Sequence, residues 1–215
     1  MNLSLNKAHY PVTMLGFGRR IGLWFQGCSI GCSSCCSKDT WAFDSDKNIE
    51  LDSLIDWCKE VSLKGLDGIT ISGGEPFDQP EPLLALLQQL NTWREGLDRD
   101  VDILVYTGYS EKFIKDKYLG HLTYIDALVV GPFNEKYGDD KVYCGSNNQY
   151  IIIPSALGTI RYGADQLTKW NSGIQMAVDS EGIWMIGIPK QRDLEKLEKL
   201  CETRGLSLDQ PSWRA

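Results

Sequence analysis

The stretch Ile21-Gly22-Leu23-Trp24-Phe25-Gln26-Gly27-Cys28-Ser29-Ile30-Gly31-Cys32-Ser33-Ser34-Cys35-Cys36 carries four of the chain's seven cysteines. Ile21 to Phe25 reads as a strand that runs directly into a cysteine loop. The loop spacing is C-x3-C-x2-C. Thiolates are the ligands of iron–sulfur clusters and of zinc. Three of them on one tight loop can hold three corners of a cubane and leave its fourth iron open. Gly27 and Gly31 let the backbone curl close to the sulfurs, where amides can donate to them. Cys36 is a candidate fourth ligand, although adjacent residues diverge and rarely reach one cubane. Two other readings stay open for this loop taken alone. It could be half of a zinc site, although the chain offers only two histidines, His9 and His121, and no second cysteine pair. Cys32 and Cys35 could also form a redox pair.

Outward from the loop, short apolar runs alternate with amphipathic stretches. Leu51, Leu54, Ile55, Cys58 and Val61 have helical spacing. Gly68 to Ser72 is a β-rich run that ends in Gly73-Gly74-Glu75-Pro76. Two glycines at a strand end bare the backbone to a ligand, but the same residues also make a plain βα turn. Pro80 or Pro82 opens a helix that runs to about Arg94. Val101–Tyr106 predicts a strand ended by Thr107-Gly108, and Glu111–Leu119 a helix. Ile125–Val130 predicts a strand ended by Gly131-Pro132, and Tyr150–Ile153 a further one. This alternation implies parallel βαβ units, whose ligands gather at the carboxyl ends of the strands. The last stretch differs. Ile174–Asp179 and Gly182–Ile186 flank the turn Asp179-Ser180-Glu181-Gly182 as a β-hairpin, and Gln191–Arg204 is a closing helix stopped by Gly205.

Composition bounds the function classes. With 215 residues, 42% apolar and 24% charged, the chain is expected to form one soluble domain. A net charge of −7 argues against a broad nucleic-acid-binding face. Residues 1–7 show no long apolar run after their single charge, so no targeting segment is expected, and no run approaches the roughly 20 apolar residues of a membrane span. Neither nucleic acid nor membrane is therefore expected as a partner. The chain reads as cytoplasmic, where clustered cysteines suit metal or redox work better than disulfides.

Taken together, the cysteine loop and Gly73-Gly74-Glu75-Pro76 resemble the radical S-adenosylmethionine superfamily. More narrowly, the chain resembles the short activating enzymes of anaerobic ribonucleotide reductase and pyruvate formate-lyase. Trp24-Phe25-Gln26-Gly27-Cys28, Lys38-Asp39-Thr40-Trp41, Tyr106-Thr107-Gly108-Tyr109, Gly131-Pro132-Phe133 and Gly145-Ser146-Asn147-Asn148-Gln149 carry that likeness in matching order. It implies an α/β fold, an incomplete parallel barrel of the (β/α)6 type. The core would span about 15–153, and a C-terminal hairpin and helix about 154–215, in one domain over 1–215. It implies that Cys28, Cys32 and Cys35 ligate a [4Fe–4S] cluster whose open iron chelates S-adenosylmethionine. Gly73, Gly74 and Glu75 would lie along the methionyl ammonium, with Thr107 lining the cofactor site. One electron from the cluster would cleave the sulfonium, and the deoxyadenosyl radical would abstract hydrogen from a target. A glycyl-radical enzyme is the implied partner, with an external electron donor such as a flavodoxin or ferredoxin.

The chain departs from the family pattern at several positions. Ser34 stands where relatives place an aromatic residue against the adenine, which leaves Trp41 or Tyr106 as the platform. Cys36 replaces Asn, Tyr or His. Val129-Val130 lacks an acidic residue. Cys144 precedes Gly145 where Arg is expected; it is read as loop packing, a redox thiol or a substrate-side group. Cys58 and Cys201 read as core, His9 and His121 as surface or loop residues. Three functions compete at this point: an activase of a glycyl-radical enzyme, a stand-alone radical enzyme acting on a metabolite, nucleoside or peptide, and a non-enzymatic metal or redox module.

Overall fold

A computed structural model of the chain describes residues 1–138, 141–167, 173–178, 182–190, 192–208 and 211–214. The chain starts with β1 (Asn2–Val12) and β2 (Arg20–Phe25), which pair antiparallel. After the cysteine loop come β3 (Asn48–Glu50), α1 (Leu51–Ser62) and β4 (Gly68–Gly73). Leu51, Leu54, Ile55 and Cys58 recur at helical spacing on α1, and all four are buried. Then follow α2 (Pro80–Glu95), β5 (Asp102–Tyr106), α3 (Glu111–Lys117), α4 (Leu119–Leu122) and β6 (Ala127–Val130). Ser110 caps α3, its side chain accepting from the Phe113 amide at 3.3 Å. The remaining elements are β7 (Tyr150–Ile152), α5 (Ala156–Tyr162), α6 (Ala164–Leu167), β8 (Ile174–Val178), β9 (Ile183–Gly187) and α7 (Asp193–Thr203).

Seven strands form one mixed sheet in the order β3-β1-β2-β4-β5-β6-β7. Its centre, β2-β4-β5-β6, is parallel. β1, β3 and β7 are antiparallel to their neighbours. The architecture is thus mixed α/β with a mainly parallel centre. The strand expected at 150–153 is present but runs the other way. The connection after Val130 holds no α-helix among its described residues, and a parallel return needs such a crossover. β8 and β9 pair as the expected hairpin. The turn residues 179–181 and the expected helix start at Gln191 lie outside the described residues.

The central strands are apolar almost throughout because both faces are covered. Ile21, Leu23, Phe25, Ile69, Ile71, Ile103 and Val105 face α1 and α2 in the main core. Leu104, Ala127 and Val129 face the other way, onto Tyr143, Cys144 and Tyr162. At the amino ends of the strands a charged plug closes the core. Arg20 and Asp102, both fully buried, pair through two hydrogen bonds of 2.7 and 3.0 Å. Thr70, the Ile69 and Phe17 carbonyls, Arg161 and the Tyr162 hydroxyl complete the set. Burial alone would raise the Asp102 carboxyl; the Arg20 charge, with the Tyr162 hydrogen bond and Arg161, holds it below its usual value. A Cβ at Gly68 would overlap the Arg20 guanidinium, so this strand must begin with glycine. The carboxyl ends of the parallel strands are left to carry the site. No described helix is long and apolar enough to cross a membrane.

Candidate functional site

The cysteine loop is closed at its base by main-chain bonds. Gly27 donates to the Thr40 carbonyl at 2.8 Å and Cys28 to the Trp41 carbonyl at 3.0 Å. The 38–41 segment therefore zips onto the residues that lead into the loop. Gln26 adds side-chain bonds to the Ala42 and Asp39 carbonyls. On the outer side, Asp78 clamps Ser29. It accepts from the Ser29 amide (2.6 Å) and hydroxyl (2.9 Å), and from the Tyr109 hydroxyl (2.7 Å). This clamp went unread in the sequence, although Asp78 stands only three residues after Glu75.

Each of the three thiols has a backbone N–H directed at its sulfur. Ile30 and Gly31 serve Cys28, Phe133 serves Cys32, and Ser37 serves Cys35 at 3.4 Å. Such amides stabilise a thiolate and tune a cluster bound to it. Burial pushes the Cys28 and Cys32 thiols up; the amides oppose that shift. Protons held by the free thiols are then released when a cationic centre binds. Burial also pushes the Cys36 thiol up, to about 11. Among the described residues, no three Cys, His, Asp or Glu side chains are gathered for a single metal ion. Three thiols, each with an amide, suit a cluster with three protein ligands.

Cys28, Cys32, Cys35, Ser34, Trp41, Gly73, Gly74, Glu75, Tyr106 and Thr107 all line one cavity of about 890 Å³ at the carboxyl edge of the sheet. The residues singled out by sequence thus converge, and three of them also hold the strand end in place. A Cβ on Gly73 would come within 2.6 Å of the Phe25 carbonyl oxygen. One on Gly74 would overlap the Gly27 carbonyl and approach the Thr40 carbonyl oxygen to 3.0 Å. These glycines are therefore required by close packing of the strand end, Gly73 on the end of β2 and Gly74 on the base of the cysteine loop, whether or not a ligand approaches. Glu75 is 1% exposed, and both its oxygens are engaged. Oε1 accepts from Phe77 N (3.0 Å) and Thr107 Oγ1 (2.8 Å), and Oε2 from Gly108 N (2.7 Å). It staples the end of β4 to the end of β5. Burial pushes its carboxyl up to about 7 against these three donors.

Tyr106 lines the cavity, while its buried hydroxyl has no hydrogen-bond partner among the described residues. Cys144 is core packing beside Tyr143 and Tyr162, away from the cavity. Cys58 is core, as expected. His121 corrects its surface reading: it is buried against Phe77 and Tyr118, with Nε2 2.9 Å from the Pro80 carbonyl oxygen.

The sequence is similar to those of known proteins. Residues 14–152 match the family described as a 4Fe-4S single cluster domain. An anaerobic ribonucleoside-triphosphate reductase-activating protein of Vibrio cholerae is 32% identical over 148 residues, 66% of this chain and 94% of the relative. The protein of the same name from Enterobacteria phage T4 is 28% identical over 144 residues, 66% and 89% of the two chains. A pyruvate formate-lyase-activating enzyme of Streptococcus mutans is 27% identical over 146 residues, 64% of this chain and 53% of the enzyme. The chain belongs to the family of 4Fe–4S single cluster domains, and within it to the radical S-adenosylmethionine activating-enzyme group. It is an enzyme of the oxidoreductase type.

Proposed function

We propose that the chain binds a [4Fe–4S] cluster through Cys28, Cys32 and Cys35, uses it to cleave S-adenosylmethionine reductively, and installs a glycyl radical on a partner enzyme such as an anaerobic ribonucleotide reductase. The observation that carries this reading is the set of three amide-supported thiols in one cavity with the Gly73-Gly74-Glu75 strand end. Held by Cys28, Cys32 and Cys35, a reduced cluster would supply the one electron needed to cleave the sulfonium to methionine and a hydrogen-abstracting deoxyadenosyl group. This chain's residues do the rest. Gly73, Gly74 and Thr107 would border the methionyl end of the cofactor, and Glu75 positions Thr107 through their 2.8 Å bond. Ser34, Trp41 and Tyr106 line the same cavity and would border the adenine, with an indole or phenol ring in place of the missing aromatic at 34.

On the same reading, residues 1–215 form one domain, and the parallel strands are the centre of an incomplete (β/α)6-type barrel open toward the partner. The electron comes from a flavodoxin or ferredoxin. The setting is cytoplasmic, where the thiols stay reduced. The relatives whose names state reductase and lyase activation support the partner class. The test is anaerobic incubation of the reconstituted, reduced protein with S-adenosylmethionine and an anaerobic ribonucleotide reductase. A glycine-centred paramagnetic signal on the reductase, formed with deoxyadenosine, is expected. Deoxyadenosine without a protein radical, across reductase and lyase partners alike, would refute the activase reading.

A further inference from the structure

The C-terminal extension forms one side of the thiol cavity. α7 turns Leu194, Glu195 and Glu198 to it, and a short turn, Ser212–Arg214, adds the Trp213 ring. Two hydrogen bonds fix that turn. Ser212 Oγ donates to the Cys36 carbonyl at 2.7 Å, inside the cysteine loop, and Trp213 Nε1 donates to Glu198 Oε1 at 2.8 Å. The hairpin seats the extension on the sheet, with Trp184 edge-on to Trp24 and His9 at 5.2 and 5.1 Å. None of this wall belongs to the segment 14–152 that matches the family.

Resting on the radical reading above, we infer that Trp213 is a specificity-determining residue. It acts as a size filter that admits a slim, extended peptide segment to the thiols and excludes bulky side chains and folded elements. Volume argues for this. Pockets of roughly 300–1,000 Å³ hold a single drug-sized ligand. The same cavity of about 890 Å³ would have to take the cluster, the nucleoside-bearing cofactor and the substrate segment together, so bulk on its wall limits what else can enter. An indole held between α7 and the cysteine loop narrows that remainder on one side. A glycine-bearing loop has no side chain to carry past it. Rigid aromatic rings are well suited to such a wall, since they fill space at little cost in conformational entropy.

The test uses the metal-free full chain under anaerobic, reducing conditions, and two maleimides of different bulk: one on a triglycine stem, one on fluorescein. Labelling of Cys28, Cys32 and Cys35 is followed by peptide mass spectrometry. In the unmodified protein the triglycine reagent should react faster than the fluorescein reagent. Trp213→Ala should remove that preference by accelerating the fluorescein reagent about fivefold, about 1 kcal/mol at roughly 1.4 kcal/mol per factor of ten. Trp213→Phe should keep part of the preference. Ser212→Ala, which removes only the tie to Cys36, should weaken it. Cys58, wholly buried, reports global opening and should stay unlabelled. Equal rates in the unmodified protein, or a preference untouched by Trp213→Ala, would overturn the filter. So would acceleration at Cys58 in step with the cavity thiols in both alanine variants. Neither cluster nor cofactor is needed here, so a failed filter leaves the radical reading standing. Failure to cleave S-adenosylmethionine would instead strike that reading.

Discussion

Gly74→Ala separates two reasons for a glycine at the end of β4. If glycine serves ligand approach, alanine weakens cofactor binding and leaves the cluster in place. The packing says otherwise. The added methyl would lie 2.7 Å from the Gly27 carbonyl carbon and 3.0 Å from the Thr40 carbonyl oxygen, where ordinary contact begins at 3.4 Å. Both neighbours are main chain, so neither can swing aside. Relief requires the base of the cysteine loop to move, which breaks the 2.8 Å bond from Glu75 N to the Gly27 carbonyl. Overpacking costs about 1–3 kcal/mol, and a lost hydrogen bond about 1 kcal/mol more. The metal-free protein should therefore lose roughly 2–4 kcal/mol in urea unfolding. Iron retained after anaerobic reconstitution should fall with it, because Cys28 follows Gly27 directly. Full iron content with unchanged stability and a selectively weakened cofactor would refute the packing argument.

Asp102→Asn should cost about 3–5 kcal/mol, since it leaves the Arg20 guanidinium buried without its counter-charge. That corresponds to roughly 6–20 °C in the melting midpoint, and a shift under 2 °C would contradict it. Glu75 makes stability depend on pH. Its carboxyl is pushed up to about 7 when folded, from an ordinary 4.5. The folded chain thus keeps a proton that the unfolded chain loses, so this contribution is full below pH 4.5 and is lost as pH rises through 7. Urea melts from pH 5 to 8 should show that decline, and Glu75→Gln should lack it; equal slopes would place the carboxylate in its anionic form throughout. Alanine at Cys28, Cys32 or Cys35 should abolish iron binding, while Cys36→Ala should keep about four irons per chain. Complete loss from Cys36→Ala would reassign the ligand set.

The parallel centre of the fold was legible because its strands are covered on both faces and read as apolar runs, each followed by glycine. The cysteine loop and Gly73-Gly74-Glu75 were legible as a constellation, and they do meet at one cavity. β1 escaped notice because only Leu3 and Leu5 show clear alternation before Asn6 and Lys7. Its pairing is supplied from a distance by β2 and β3, and Pro11 sits beyond the short span where β3 pairs. α5 was hidden by Gly158, a poor helix former. Glycine is needed there because a Cβ would overlap the Asp126 carbonyl. The Arg20–Asp102 pair joins residues 82 apart and has no local pattern at all. Glu75 was placed at the site, but its role as a staple depends on Thr107 and Gly108 arriving from β5. Trp213 likewise gains its place only through α7 and Cys36.

The central claim is that this cavity brings a cluster and S-adenosylmethionine together for one-electron cleavage. Its most direct measurement is product analysis of the anaerobically reconstituted protein, reduced with dithionite and supplied with S-adenosylmethionine alone. The account predicts methionine and deoxyadenosine in equal amounts, and neither product from Cys28→Ala, Cys32→Ala or Cys35→Ala. An intact reduced cluster that leaves the cofactor uncleaved would contradict it.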